Sequence, residues 1–345
     1  MFKNHSYFLA LAREKSVSEA ARQLGVSHPC ISRYLTRLEK ECGVTLFQRK
    51  PVFSITPEGT RLLYALQQLD ILENDLKKCI NEKRYGDSGE IRLGTTEGRF
   101  RILMPDIITG FRALHPRVRI LASQANSQEL RRRLHNNDLD LIIVSEPSQD
   151  DPMEESLSLM EESLYVVLSD DMLEAYYPEE YPACLPVFRS EGIDLQYLAE
   201  LNVPFCFNIP SYTSSRIMNR LMEQQHFRLN VAHVSSQPDL HHMMTARNYA
   251  ASLCLSMYLP NLEMMNQEEG RLNRLHAFPV KNLEEKTSLF LKYRKERQFT
   301  NYAKDLIGFI REICLQYPSF EKKYLAGFPD SSGSPVLSSP EKKEV

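Results

Sequence analysis

Apolar positions recur at helical spacing through the first quarter of the chain and then give way to short runs alternating with helical segments. Residues 4–14 place Tyr7, Phe8, Leu11 and Ala12 on one stripe, which predicts a helix. A second, short helix follows, with Ser18 as its expected cap and Ala20, Ala21 and Leu24 as a small-residue inner face that lets a neighbour cross closely. Gly25 falls where that helix must end in a left-handed turn. Ser27 is the expected cap of a third helix, His28 to about Glu41, with Pro29 in the first turn, where a missing N–H costs nothing. Its inner stripe is Ile31, Leu35 and Leu38; its outer face carries His28, Ser32, Arg33, Thr36, Arg37 and Lys40. Two helices joined by a Gly-containing turn, the second basic outside, predict a helix-turn-helix. Leu46, Phe47, Phe53 and Ile55 suit a two-stranded hairpin, a wing with Arg49 and Lys50 at its start.

Thr56 and Pro57 then open a long helix to about residue 84. Leu62, Leu66, Leu69, Leu72, Leu76 and Ile80 fall at spacings of three and four, a near-heptad seam. Its expected partner is the same helix of a second copy; a stripe packed on the chain's own domain is the alternative. Tyr85-Gly-Asp-Ser-Gly89 reads as a hinge. From Glu90 onward strands alternate with helices. Strands are expected at 91–95, 117–122, 139–144 and 165–168, then at 204–208, 230–234, 251–256 and 289–293, with helices between and a last helix over about 299–316. This is a parallel-sheet pattern in two α/β units linked by two crossings, a periplasmic-binding-protein-like architecture.

The expected division is therefore a winged helix-turn-helix over 1–60, a linker helix over 61–84 and a hinge over 85–90. One α/β subdomain follows over 91–168 and 275–317 and a second over 169–274, with a disordered tail over 318–345, where Ser, Pro, Gly and Lys accumulate.

Charge sharpens this picture. Residues 1–84 hold 14 Lys/Arg against 9 Asp/Glu, a net +5, while the remainder holds 28 against 36, a net −8. One basic end on an acidic chain is the asymmetry expected of a nucleic-acid contact. No apolar run reaches membrane-spanning length and the start lacks a signal-peptide pattern, so a cytoplasmic protein with no membrane partner is expected. Seven scattered cysteines lack metal-ligand spacing; reduced, mostly buried thiols are expected, with a Cys184–Cys206 redox pair as the alternative. No cofactor or metal site is expected.

The run Ala20-Ala21…Leu24…Val26-Ser27…Pro29…Ile31-Ser32…Leu38-Glu39…Gly43-Val44…Leu46-Phe47…Arg49…Thr56…Gly59 resembles the LysR-type transcriptional regulator family. His28 and Cys30 stand where the family usually has other residues. The resemblance implies double-stranded DNA with inverted-repeat half-sites as a partner. It also implies pairing of the long helix between subunits, dimers that pair again into tetramers, RNA polymerase as a candidate partner, and a small-molecule effector. Within the helix-turn-helix, Ser27, His28, Pro29, Ser32, Arg33, Arg37, Arg49 and Lys50 are the candidate DNA contacts. His28, Ser32 and Arg33 belong near base edges, and Ser27, Arg37, Arg49 and Lys50 near phosphates.

In α/β sheets of this kind ligands sit at the carboxyl ends of strands, and helix N-termini there suit a small anion. Thr95, Thr96, Asn126, Ser127, Ser211, Thr213 and Ser214 fit such a place, with Arg99 as a source of charge; each hydroxyl or amide also serves as an ordinary cap. The expected ligand is a small polar or carboxylated metabolite. A periplasmic-binding-fold enzyme or a free-standing solute-binding protein are the competing readings. The first lacks Gly-x-Ser-x-Gly, His-Glu-x-x-His and P-loop motifs, and adjacent His241 and His242 would face different ways on a helix. The second leaves residues 1–84 unused.

Overall fold

A computed structural model of the chain describes residues 4–49, 52–145, 151–267 and 273–327. Three helices, α1 (His5–Glu14), α2 (Val17–Leu24) and α3 (His28–Cys42), precede a two-stranded antiparallel wing of β1 (Phe47–Gln48) and β2 (Ser54–Ile55). Ser16, not Ser18, caps α2: its extended backbone lets its hydroxyl accept from the Glu19 N–H at 3.3 Å, while Ser18 already lies inside the helix. Gly25 ends α2 at φ 65°, and its N–H and that of Val26 close the turn onto Arg22 and Ala21 carbonyls. Phe8, Leu11, Ala20, Ala21, Ile31, Leu35, Leu38, Leu46 and Phe47 share one core.

α4 (Pro57–Tyr85) runs 29 residues, capped by Thr56, whose hydroxyl accepts from the Gly59 N–H at 3.0 Å. Any side chain at Gly59 would start 2.2 Å from the Leu46 carbonyl oxygen, so the helix can lie this close to the wing only with glycine there. The apolar seam divides in two. Leu62 and Leu66 enter the N-terminal core, whereas Leu69, Leu72, Leu76 and Ile80 are 39, 42, 55 and 54 % exposed.

Beyond α4 the chain builds two five-stranded sheets. In order come β3 (Gly89–Thr95), α5 (Glu97–Leu114), β4 (Val118–Gln124), α6 (Ser127–His135), β5 (Leu141–Val144) and β6 (Glu154–Glu162). Then follow β7 (Leu164–Ser169), α7 (Asp170–Tyr176), α8 (Leu185–Glu191), α9 (Leu195–Glu200), β8 (Pro204–Asn208), α10 (Thr213–Gln225), β9 (Asn230–Ser235), α11 (Pro238–Thr245), β10 (Ala251–Leu255) and α12 (Leu259–Gln267). The chain closes with β11 (Leu275–Pro279), β12 (Thr287–Arg294), α13 (Asn301–Cys314) and α14 (Gln316–Leu325). The first sheet has the order β4-β3-β5-β12-β6 and the second β11-β7-β10-β8-β9. β3, β4 and β5 are parallel, as are β8, β9 and β10; the returning strands β7, β11 and β12 pair antiparallel.

Several expected boundaries change. Tyr165–Leu168 and 275–279 belong to the second sheet, not the first, because only Ser163 separates β6 from β7 and β11 pairs with β7 along its full length. β6 itself escaped the pattern because Glu154, Glu155, Glu161 and Glu162 crowd an edge strand whose apolar positions are few. Tyr85 is still helical and Gly89 and Glu90 already belong to β3, so the expected hinge contracts to residues 86–88. The tail expected from 318 is instead helical through Leu325: Tyr317, Phe320 and Tyr324 form an aromatic stripe that is buried, and the Ala277 N–H donates to the Tyr324 hydroxyl at 2.7 Å. Residues 328–345 lie outside the described residues. Since α13 joins the first unit and α14 packs on the single turn Ser256–Tyr258 and on α12 of the second, Leu315 makes a third crossing between units where two were expected.

α4 does not stand free of the first sheet. Asp75, 3 % exposed, accepts from Arg297 Nη1 at 2.7 Å and from the Gln298 N–H at 3.0 Å. Arg297 also meets Asp140 at 2.8 Å, and Asp140 takes a two-pronged contact from Arg92 and a third cation, Lys78 of α4, at 3.2 Å. Burial alone would raise the Asp140 carboxyl; the Arg92 hydrogen bonds and the charges of Arg297 and Lys78 override it and hold it well below the usual carboxylate range. Two turns beyond Asp75, Glu82 accepts from the Asn301 and Tyr302 N–H groups at 3.1 and 3.2 Å and so caps α13 from another element. Among the described residues no helix is long and apolar enough to cross a membrane.

Removing one partner of such a buried pair strands the other charges. Arg297→Met is expected to cost about 3–5 kcal/mol in urea unfolding of the full chain. It should also open the segment 86–88 to limited proteolysis, with unchanged stability and cleavage contradicting the assignment.

Candidate functional site

Two surfaces carry the candidate chemistry. On the first, α3 presents Ser27, His28, Pro29, Arg33 and Arg37 to solvent, with Ser32 half-buried. Ser27 occupies the cap position but its side chain makes no capping bond, so its hydroxyl stays available. Arg33 Nε donates to the Pro29 carbonyl at 3.2 Å, which lays the guanidinium along the first turn of α3. Arg37 is near Glu41 at 3.8 Å, and both are exposed. Glu39 fixes the wing to this helix: its Oε1 accepts from the Leu46 and Phe47 N–H groups at 2.9 and 3.2 Å, and its Oε2 lies 3.6 Å from Arg49. Phe47 stacks on Phe53 across the wing at 4.9 Å. Arg49 thus comes to the same side as Thr36 of α3, with 3.5 Å between Nη2 and the hydroxyl. Lys50 lies outside the described residues.

The second surface is a cleft of about 650 Å³ between the two α/β units. Thr96, Asn126, Ser127, Ser211, Thr213 and Ser214 all line it, as the sequence suggested. Thr95 does not: it is fully buried within β3 and its hydroxyl donates to the Ile143 carbonyl at 2.9 Å. Arg99 lines the cleft but is no free charge, because it is 7 % exposed and paired with buried Glu162. Asn126 caps α6, accepting from the Glu129 N–H at 2.9 Å. By contrast, Thr96 and Tyr212, at the starts of α5 and α10, make no side-chain cap.

The sequence reading missed Ser145, Asn208 and Glu97. Ser145 Oγ and Asn208 Oδ1 are buried and have no partner among the described residues, while the Asn208 amide donates to Ser214 Oγ at 3.0 Å. Both sit just past or at the end of a buried strand, β5 or β8, which is the signal that would have found them. The rim is closed by contacts between units. Arg101 pairs with Asp239 at 2.7 Å, Gln237 donates to Glu97, and Thr213 donates to the Ser145 carbonyl at 3.4 Å. Gly98 of α5 meets Tyr258 of the other unit so closely that a Cβ there would lie 1.9 Å from the tyrosine hydroxyl.

His241 and His242 serve packing. His241 hydrogen-bonds Ser235 at 2.8 Å and His242 lies edge-on to Tyr258; burial holds them down to about 4 and about 3, so both rings are neutral near pH 7. All seven cysteines are free thiols; Cys184 and Cys206 are both buried and unpaired, and burial pushes the Cys206 thiol up to about 11.

Comparison with known proteins bears on both surfaces. A family model described as LysR substrate binding domain matches residues 84–315, and one described as bacterial regulatory helix-turn-helix protein, lysR family, matches residues 2–60. The chain is 24 % identical to the uncharacterized HTH-type transcriptional regulator YcgK of Bacillus subtilis, over 76 % of this chain and 81 % of that one. It is 32 % identical to the HTH-type transcriptional regulator cbl of Escherichia coli over 41 % of this chain and 46 % of that one. Among solved structures, full-length OxyR from Pseudomonas aeruginosa aligns with a TM-score of 0.61 at 18 % identity, covering 88 % of this chain and 95 % of that one. Full-length CbnR complexed with its target DNA aligns at 0.51 and 17 % identity, covering 89 % and 97 %.

The Glu39 contact is testable by itself. Glu39→Ala should raise amide hydrogen exchange at Leu46 and Phe47 by about 10- to 100-fold, in line with about 1.5–3 kcal/mol per hydrogen bond to a charge. Unaltered protection at both amides would show that the wing is held by its hairpin alone.

Proposed function

Since the chain belongs to the LysR family of DNA-binding transcriptional regulators, we propose that it binds an inverted-repeat operator through two copies of α3 and its wing. We propose further that a small polar or carboxylated effector held in the cleft sets the response. What carries the DNA reading is the exposure of His28, Arg33 and Arg37 along α3, with Arg49 of the wing anchored to that helix through Glu39. The N-terminal turns of such a helix enter the major groove, so His28, Ser32 and Arg33 read or border base edges while Ser27, Arg37 and Arg49 grip phosphates. Pro29 shapes the first turn; Lys50 joins the phosphate group on its place in the wing sequence.

The exposed half of the α4 seam, Leu69 to Ile80, supports a dimer built on that helix. Two half-sites one helical turn apart then follow from the two-fold axis. Pairing of dimers into tetramers, and contact with RNA polymerase, belong to this reading as extensions of the family pattern. The orphan polar atoms of Ser145 and Asn208 support an occupant in the cleft, since buried polar groups are otherwise satisfied.

An operator selected from a randomised duplex library with the full chain supplies the test. On that DNA, Arg33→Ala should bind about 10- to 100-fold more weakly at matched salt and relax preference at one base pair. Arg37→Ala should weaken all sequences alike and lower the salt slope by about one. Equal binding by Arg33→Ala would remove the base-edge assignment. For assembly, Leu72→Asp with Leu76→Asp should shift the sedimentation of the full chain toward monomer; an unshifted profile would place the subunit contact elsewhere.

A further inference from the structure

Resting on the reading that the cleft holds the effector, we propose that this effector is a small monocarboxylate bearing a hydroxyl or amino donor, and neither a dicarboxylate nor a phosphate ester. Charge and unmet hydrogen bonds in the cleft define this ligand. Of the four helix starts that line the cleft, Asn126 caps that of α6 and Pro238 removes a donor from that of α11; those of α5 and α10 face each other from opposite units, and neither Thr96 nor Tyr212 caps its own helix. Each uncapped start offers N–H donors and roughly half a positive charge, so together they balance about one anionic group.

No further positive charge is on hand inside. Arg99 is spent on Glu162 within the wall. Arg216 is exposed at the rim and donates to Thr213 at 3.2 Å. Glu97 adds a negative charge to the same wall, held at the closing edge by Gln237 and Tyr212. Arg216 and Glu97, which both line the cleft, offset one another, so a second anionic group on the ligand, or the double charge of a phosphate ester, would exceed what the two helix starts balance.

The donor follows from Asn208. Its side chain is 4 % exposed and lines the cleft; its amide nitrogen is committed to Ser214, which leaves the carbonyl oxygen as a buried acceptor without a partner among the described residues. Only a donor answers it. Ser145 Oγ, 3 % exposed and also unpartnered, lines the cleft from the other unit and takes either role. A ligand that places its carboxylate at the helix starts and its hydroxyl or ammonium at Asn208 satisfies both units at once.

Isothermal titration of the full-length protein with matched probes tests this. The probes are hexanoate, 2-hydroxyhexanoate, norleucine, adipate and glucose 6-phosphate, with propionate, lactate, alanine, succinate and glycerol 3-phosphate as a shorter set. The hydroxy- or amino-monocarboxylate should bind at least about 10-fold more tightly than the plain carboxylate of its length, and the dianions should bind more weakly than both. Asn208→Leu should abolish the first preference, and Asn208→Asp, which keeps the shape, should turn it toward the amino compound. Tighter binding of a dicarboxylate or phosphate ester, or a hydroxyl preference that survives Asn208→Leu in folded protein, overturns the proposal and leaves the cleft as an effector site. Binding of no probe in either set overturns the effector reading and this proposal together.

Discussion

The structure turns on one electrostatic junction, where Asp75 of the long helix, Arg297 of the loop after β12 and Asp140 before β5 meet away from water. Ions cost several kcal/mol each to bury, and close partners offset that. Here Arg92, Lys78, Asn137 and the Gln298 amide all contribute, and Arg297 Nε is left buried without a partner among the described residues. The geometry is directional in a way that apolar contact is not. It fixes the rotation of α4 about its axis, and so decides that Leu69, Leu72, Leu76 and Ile80 face outward together. One network therefore sets both how the first α/β unit attaches to the helix and which apolar face of the helix stays exposed.

Much of this was legible in the residues. Gly25, Pro29 and the stripe Ile31, Leu35, Leu38 specify a helix-turn-helix because each residue type answers a distinct backbone or packing demand at its position. The linker seam and the alternation of strands with helices were equally open to reading. Charge pairing was not. Asp75, Glu82 and Lys78 look like the solvated side of any helix, and their partners at 92, 140, 297 and 301 are set by tertiary approach rather than spacing. The same blindness made Arg99 look available, since Glu162 is 63 residues away on an edge strand. The tail was misjudged for a different reason: the Ser- and Pro-rich composition beyond it masked three aromatic residues at helical spacing.

The candidate ligand cleft was half legible. Capping residues at helix starts announce themselves by type, and six of them do line the cleft. What gives the cleft its chemical character, however, is negative information: a carbonyl left unmet at Asn208, an arginine already neutralised, two helices left uncapped. None of these is a property of a residue type. Each exists only once neighbours are known, which is why the sequence offered an anion site while the structure argues for a limit on its charge.

One small feature reaches further than its size. Gly98 stands where the first unit comes nearest to Tyr258 of the second. The absent side chain there acts as a spacer of zero thickness, so the gap between the units is gauged by two rigid parts, a helix backbone and a phenol ring, rather than by long side chains that can swing aside. A wall of that kind has a definite closed stop. The width of the cleft at that point is then a dimension of the fold itself, set by backbone against ring rather than by the polar groups that line it.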